Sequence, residues 1–277
     1  MEAGPSMQLD PSELAVELQR RLLRGEHLTL LGPRGGGKST LLARLHSQCA
    51  VAGIPCAYSS PTTRLDHITR ALERAYPDVQ VAAMTRRAAR ARLWAAADQR
   101  RGILLLDHFC AVSNAMVFLL KRLHGGVAGV LTATDIEDQR DRSRIRRPSR
   151  YGAMIVRMPS TPMRELRRMF YALTAGLGLP PVAPGVAQKL LEAARGRPGW
   201  IVKCAELAAD SRYWGGHGLL ASALSVDTEA AVRFRALELL RAPRAEPVYP
   251  GDWDSGQSLT AGGSEASGLM TPKQAGV

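Results

Sequence analysis

Short apolar runs alternate with helical patterns through the first 160 residues of the chain. The runs are bounded by glycine, proline or polar residues, which is typical of buried strands, and they cover 27–31, 54–59, 103–106, 127–133 and 153–158. Helical spacing of apolar residues lies between them, at 38–52, 65–76, 84–101 and 113–124. Strands that alternate with helices predict a parallel sheet covered on both faces, so the expected fold class is α/β.

A helix precedes the first strand, and helices alone follow the last one. The first helix begins near Asp10 and Pro11, and patterns at 161–177, 184–195, 199–212 and 227–241 predict a small all-helical lid domain. From residue 242 onward apolar periodicity is lost. The predicted organisation is an N-terminal helix at 1–26, a core at 27–160, a lid at 161–241 and a disordered tail at 242–277.

Charge and cysteine content narrow the classes of function. The net charge of +12 suggests an anionic partner, nucleic acid first, although arginine-rich chains also come from GC-rich genomes.

The four cysteines form no C-x-x-C pair, which argues against a zinc site or a disulfide framework and favours a reducing compartment. Because no apolar run approaches a membrane span and no signal-peptide pattern opens the sequence, we expect a cytoplasmic protein with no membrane partner.

The most specific motif is a glycine-rich segment between the first strand and the next helix. It matches the pattern G-x-x-x-x-G-K-[ST] of phosphate-binding loops. Glycines let successive N–H groups approach a polyphosphate, and the helix start adds its positive dipole end. Lys38 would reach the β- and γ-phosphates, and the Ser39 hydroxyl would bind Mg²⁺. The predicted nucleotide-binding residues are Gly32, Pro33, Arg34, Gly35, Gly36, Gly37, Lys38, Ser39 and Thr40.

The partner motif is an apolar strand that ends in a carboxylate. Asp107 follows the strand 103–106, and we expect it to bind Mg²⁺ together with Ser39. His108 comes next, where many P-loop ATPases have a glutamate that polarises the attacking water. Histidine can act as a base near neutral pH, so His108 is a candidate catalytic residue. The alternative is a polar strand-end residue, with slow hydrolysis or with nucleotide binding without efficient turnover.

Residues 13–45 together resemble the opening of an AAA+-type ATPase. They are similar to the origin-recognition-like and transposition-helper (TniB-like) branch, in which a helix and a short strand lead into the loop, and the resemblance extends loosely over 10–210. It implies a P-loop NTPase fold with a five-stranded parallel sheet flanked by helices. It also implies ATP rather than GTP as the nucleotide, Mg²⁺ as the metal, and a homo-oligomer that assembles on DNA.

The resemblance also implies roles for residues after the second motif. Thr134, or else Thr132, matches the polar sensor that contacts the γ-phosphate or the lytic water, and the alternative is an ordinary β-branched strand residue. Arg150 matches the arginine finger that reaches a neighbouring subunit's nucleotide. The alternative is one more arginine on a solvated, arginine-rich face.

The lid carries a further motif that departs from the family. Residues 196–199 resemble the turn Gly-Asn-Pro-Arg, in which the arginine senses nucleotide, but glycine holds the fourth position and Arg197 the second. Arg197 or Lys203 could substitute as the nucleotide contact. A plain helix–helix turn is the alternative.

Two arginine-rich segments are the predicted contacts with double-stranded DNA. The segment 86–92 lies on one predicted helix, and the segment 140–150 precedes the fifth strand. Their arginines are Arg86, Arg87, Arg90 and Arg92, and Arg140, Arg142, Arg144, Arg146, Arg147 and Arg150.

These features together predict an ATP-binding ATPase that acts on DNA as a helper or regulator of transposition or replication type, with a transposase or replication-type protein as partner. The alternative is a non-hydrolysing, ATP-dependent signalling or scaffold switch that acts through protein partners. A small-molecule kinase is a less favoured third interpretation, because the second strand does not end in a substrate-anchoring acid, although Asp66 is nearby.

Overall fold

A computed structural model describes residues 11–109, 116, 129–135, 153–216 and 218–241. Three predictions lie outside these residues: all but Met116 of the helix at 113–124, the arginine-rich segment 140–150 with Arg150, and the tail at 242–277. The proposed boundaries between core, lid and tail stay a prediction.

The core is built from alternating strands and helices. Chain order among the described residues is α1 (Pro11–Leu23), β1 (His27–Gly32), α2 (Lys38–Val51), β2 (Cys56–Ser59), α3 (Leu65–Ala75), α4 (Arg86–Gln99), β3 (Ile103–Leu106), β4 (Gly129–Asp135) and β5 (Met154–Arg157).

The five strands form one parallel sheet in the order β2-β3-β4-β1-β5. The expected five-stranded parallel sheet flanked by helices is therefore confirmed. In the pairing of β1 with β4, Leu31 lies opposite Thr134 and Gly32 lies opposite Asp135. This register sets the last residue of β4 beside the start of the glycine-rich loop.

Apolar side chains on both faces of the sheet hold the helices against it. Because successive strand residues point to opposite faces, Leu104 and Leu106 pack with α3 and α4, whereas Ile103 and Leu105 pack with α1 and α2. Every residue of β1 is buried. Both layers of helices therefore bury apolar surface against the strands that carry the loop.

The second half of the described chain is mainly helical, as expected. Its helices are α5 (Met163–Gly176), α6 (Pro184–Ala194), α7 (Pro198–Ala208) and α8 (Ala221–Arg241). Phe170, Leu190 and Trp200 belong to its separate apolar core. The sequence did not predict the 3₁₀ turn at Ser211–Tyr213 or the antiparallel pair of two-residue strands, Trp214–Gly215 and Gly218–Leu219. Within the described part of the chain, no helix has the length and hydropathy needed to cross a membrane.

Candidate functional site

The glycine-rich loop joins β1 to α2 at the carboxyl edge of the sheet. Gly35 and Gly37 have positive φ angles of 71° and 91°, which glycine adopts without strain. The Lys38 side chain is folded back into the loop, where its Nζ donates hydrogen bonds to the carbonyls of Gly32 and Pro33, both at 2.8 Å. The lysine is 6% exposed, so the loop fixes its ammonium group within the concave side of the turn.

Asp135, at the end of β4, also binds this ammonium group. Its Oδ1 lies 2.7 Å from Lys38 Nζ, and its Oδ2 accepts a hydrogen bond of 3.3 Å from Arg34 Nε. A lysine ammonium has three N–H donors, and the two loop carbonyls and Asp135 match that number. The sequence prediction missed Asp135, which lies one residue beyond the predicted sensor Thr134.

The two threonines of β4 differ in their surroundings. Thr134 is partly buried opposite Leu31, next to the loop. Thr132 is buried within the sheet, and its hydroxyl donates to Thr29 Oγ1 at 3.1 Å. Thr134 therefore lies at the loop, whereas Thr132 serves the packing of β4 on β1.

Asp107 follows β3 and is 1% exposed. Its Oδ2 accepts hydrogen bonds from Ser60 Oγ at 3.0 Å and Tyr58 OH at 3.4 Å, and its Oδ1 accepts one from the His108 backbone N–H at 2.9 Å. Burial, foremost, raises the pKa of Tyr58, so this phenol stays a donor. The sequence prediction missed Ser60 and Tyr58 as partners of the carboxylate, since both lie at the end of the neighbouring strand β2.

His108 completes a group of three side chains with Ser39 and Asp107. Its φ angle is 51°, in the left-handed region that a non-glycine residue rarely adopts. Its Nε2 lies 3.5 Å from Ser39 Oγ and 3.6 Å from Asp107 Oδ2. The structure therefore brings together three predicted site residues from α2 and from the turn after β3.

The lid contacts the glycine-rich loop through the first turn of α7. The Gly199 N–H donates to the Gly35 carbonyl at 2.8 Å. A Cβ atom at Gly199 would lie 3.0 Å from both the Cα and the carbonyl oxygen of Gly35. The family turn that this segment resembles has an arginine at the fourth position, where this chain has Gly199. A side chain at this position would require the backbone of the loop at Gly35 to give way by a few tenths of an ångström.

Arg197 lies inside the lid rather than at the loop. It is 8% exposed, its Nε donates to the Ala194 carbonyl at 2.9 Å, and its Nη2 donates to Glu229 Oε2 at 2.8 Å. The hydrogen bond from Arg197, foremost, lowers the pKa of Glu229. The alternative residue Lys203 pairs with Glu206 at 3.0 Å. These contacts give Arg197 a structural role in joining α6 to α8.

The arginines of α4 do not form one exposed face. Arg90 is buried at 7% exposure, and Arg86 lies 3.8 Å from Glu73. Arg87 and Arg92 are exposed. Two of the four arginines in the segment 86–92 are therefore exposed.

The chain was compared with known proteins. No model of a protein family matches it, and no curated protein matches its sequence. Solved structures do share its fold. Cdc6p from Pyrobaculum aerophilum superposes with a TM-score of 0.54 at 15% identity, over 75% of this chain and 63% of that one. Domain III of the replication initiation protein DnaA from Thermotoga maritima gives 0.52 at 14% identity, over 80% and 95%. Aeropyrum pernix Orc1 in complex with DNA gives 0.51 at 16% identity, over 82% and 66%.

The chain has a P-loop NTPase fold, a five-stranded parallel sheet flanked by helices, which it shares with these structures. At these identities the likeness concerns the fold alone, and it does not distinguish the TniB-like branch from the others. The chain spans slightly less than two thirds of the lengths of Pyrobaculum Cdc6p and Aeropyrum Orc1. Activity, substrate and partners must therefore be argued from the site itself.

Proposed function

We propose that this protein binds ATP in the loop Gly32–Ser39 and acts as an AAA+-type ATPase that assembles on DNA. The observation that carries the proposal is the meeting of Lys38, Ser39 and Asp107 at one edge of the sheet. The imidazole of His108 lies close to both the Ser39 hydroxyl and the Asp107 carboxylate. The Lys38 ammonium group is held by a carbonyl of the loop. A buried ammonium group, a hydroxyl and a carboxylate are the groups that hold a nucleotide polyphosphate and its metal.

The donor set also fits a divalent metal ion. Ser39 Oγ and the Asp107 carboxylate are oxygen donors, which suit Mg²⁺. A bound Mg²⁺ would neutralise charge on the nucleotide phosphates. Ser60 and Tyr58 orient the Asp107 carboxylate, and Thr134 lies beside the loop as the candidate sensor.

The site favours slow hydrolysis. The position after Asp107 is His108, and its imidazole faces Ser39 and Asp107. Asp135 is a carboxylate of the site, but it is bound to Lys38 and Arg34. Among the described residues around the loop, the candidates for a water-activating base are therefore His108 and Asp135, and Asp135 would first have to leave Lys38 and Arg34.

Charge and likeness in fold support the DNA half of the proposal. The net charge of +12 suits a polyanionic partner, and one structure of this fold, Aeropyrum Orc1, is a complex with DNA. We expect Arg87 and Arg92 of the described residues, and the segment 140–150, to contribute phosphate contacts. A homo-oligomer with Arg150 as the finger, a transposase or replication-type partner and a cytoplasmic location belong to the same proposal.

A second function, an ATP-dependent switch that acts through protein partners, is favoured by the histidine after Asp107. His108→Glu separates the two. Under the switch hypothesis the new carboxylate should raise turnover strongly, whereas an enzyme that already uses His108 should change only modestly.

The proposal is tested by steady-state ATP hydrolysis with and without duplex DNA, beside Lys38→Ala. We expect slow turnover that DNA stimulates and that the variant abolishes. DNA binding should also weaken as salt rises, because phosphate contacts release counterions. Turnover that is equal in wild type and variant would contradict the assignment of the loop.

A further inference from the structure

We propose that His108 is a direct ligand of the nucleotide-bound metal, so that the site prefers a divalent transition-metal ion to Mg²⁺. This inference rests on the proposed binding of ATP by the loop, and it takes the role of water-activating base away from His108 Nε2, because a metal-bound nitrogen has no lone pair left for a proton. It goes beyond that proposal because a P-loop with a histidine ligand differs from an all-oxygen magnesium site in the metal it selects.

The distances around His108 fit a shared metal. Nε2 lies 3.5 Å from Ser39 Oγ and 3.6 Å from Asp107 Oδ2, the two expected metal ligands. Two ligands of one ion with bonds of about 2.1 Å lie about 3.0 Å apart in octahedral geometry and about 3.4 Å apart in tetrahedral geometry. Each of the two separations from Nε2 therefore exceeds these ligand–ligand distances by only about 0.1–0.6 Å.

The backbone holds the imidazole in this place. The φ angle of 51° at His108 is an uncommon conformation, and the bond from its N–H to Asp107 Oδ1 at 2.9 Å stabilises it. Such conformations concentrate at functional sites, where the surrounding structure enforces them. Ser60 and Tyr58 donate hydrogen bonds to Asp107 Oδ2, the oxygen that faces the imidazole, and the His108 N–H holds Oδ1. Hydrogen bonds therefore orient both oxygens of the proposed carboxylate ligand.

The chemistry of the donors determines the class of metal. Imidazole nitrogen is a softer ligand than carboxylate or water, and it favours first-row transition ions over Mg²⁺, with an affinity that rises from Mn²⁺ to Cu²⁺ and falls again at Zn²⁺. The described residues contain no cluster of three histidine, cysteine or carboxylate side chains. We therefore expect phosphate oxygens and water to complete the coordination, so that metal and nucleotide bind together.

The test uses Mn²⁺ as a spectroscopic probe and the ATP analogue AMPPCP, whose bridging group contains no nitrogen. Electron spin-echo envelope modulation of Mn²⁺ in the ternary complex should contain a nitrogen coupling. That coupling should change from ¹⁴N to ¹⁵N when the protein, but not the nucleotide, is labelled. The coupling should be lost in His108→Asn, which removes the imidazole; asparagine is chosen because it tolerates the same φ angle. It should remain in the control His67→Gln, because the ring nitrogen of His67 contacts the Pro61 carbonyl.

Affinities provide the second measurement. In the presence of AMPPCP, His108→Asn should weaken Mn²⁺ binding by about tenfold or more, while the dissociation constant for Mg²⁺ should change much less. Mn²⁺ bound with AMPPCP but without a coupling to protein nitrogen would overturn the inference. Failure of AMPPCP to bind with either metal would instead overturn the proposed function and this inference with it.

Discussion

Asp135→Asn should strengthen nucleotide binding, although it removes a charged residue from the candidate site. The Asp135 carboxylate lies 2.7 Å from Lys38 Nζ, and the other two contacts of the ammonium group are loop carbonyls. A nucleotide phosphate must take one of these three donors. The carboxylate is the anionic partner, so it is the group that a phosphate would displace.

The size of the effect follows from the bond that the phosphate replaces. A hydrogen bond to a charged group contributes about 1.5–3 kcal/mol, which corresponds to about 10–100-fold in a dissociation constant. Arg34 also binds Asp135, at 3.3 Å, and this contact can persist after the lysine is released. The gain should therefore lie near the lower end, about tenfold tighter binding of ATP and of ADP.

Calorimetric titration with ATP and a divalent metal measures this change directly. Asp78→Asn is the matched control, because it breaks a pair with Arg100 whose two side chains are 58% and 44% exposed, and it should leave affinity unchanged. Thermal unfolding establishes that each variant is folded. A folded Asp135→Asn protein that binds ATP no more tightly than wild type would refute the idea that Asp135 competes with phosphate.

Three further variants test the lid and the metal site. Gly199→Ala places a Cβ 3.0 Å from the glycine-rich loop and should weaken ATP binding several-fold. The control Gly176→Ala, whose Cβ would have nothing within 4 Å, should leave ATP binding unchanged. Equal ATP affinities of the two variants in calorimetry would contradict the lid contact. Arg197→Ala should lower the unfolding free energy by about 1–3 kcal/mol. The control Arg233→Ala, whose native side chain is 64% exposed, should lower it by less than about 0.5 kcal/mol. Equal denaturant midpoints of the two variants would count against the structural role of Arg197. Ser60→Ala removes the 3.0 Å bond to the aspartate after β3 and should weaken metal binding in the nucleotide complex, and an unchanged metal dissociation constant would exclude that positioning role.

The elements and the loop could be predicted from the sequence because their signals are local. Glycines, a lysine and a serine at fixed spacing between a strand and a helix specify the turn, and apolar periods of two and 3.6 residues separate strands from helices. Asp107 could be found in the same way, as a carboxylate directly after a buried strand. These features depend on neighbours within a few residues.

The contacts of Asp135 and Ser60 depend instead on which strands lie side by side. Asp135 reaches Lys38 because β4 pairs with β1, and Ser60 reaches Asp107 because β2 pairs with β3. Strand order is set by the packing of the whole sheet, so the sequence around either residue does not reveal its partner.

The lid turn is a similar case. Gly199 and Arg197 were interpreted through a family motif. The backbone contact of Gly199 with Gly35 and the ion pair of Arg197 with Glu229 join segments far apart in the chain.

The central claim is that the loop Gly32–Ser39 holds a nucleotide through Lys38, and equilibrium binding of ATP to wild type and to Lys38→Ala tests it most directly. Titrations in Mg²⁺ and in Mn²⁺ cover both metals considered for the site. We expect saturable, metal-dependent binding of one ATP per chain to the wild-type protein and a loss of affinity of at least about tenfold in the variant, the effect of removing a charged hydrogen-bond donor. No binding to folded wild-type protein with either metal, or equal binding to both proteins, would contradict the claim.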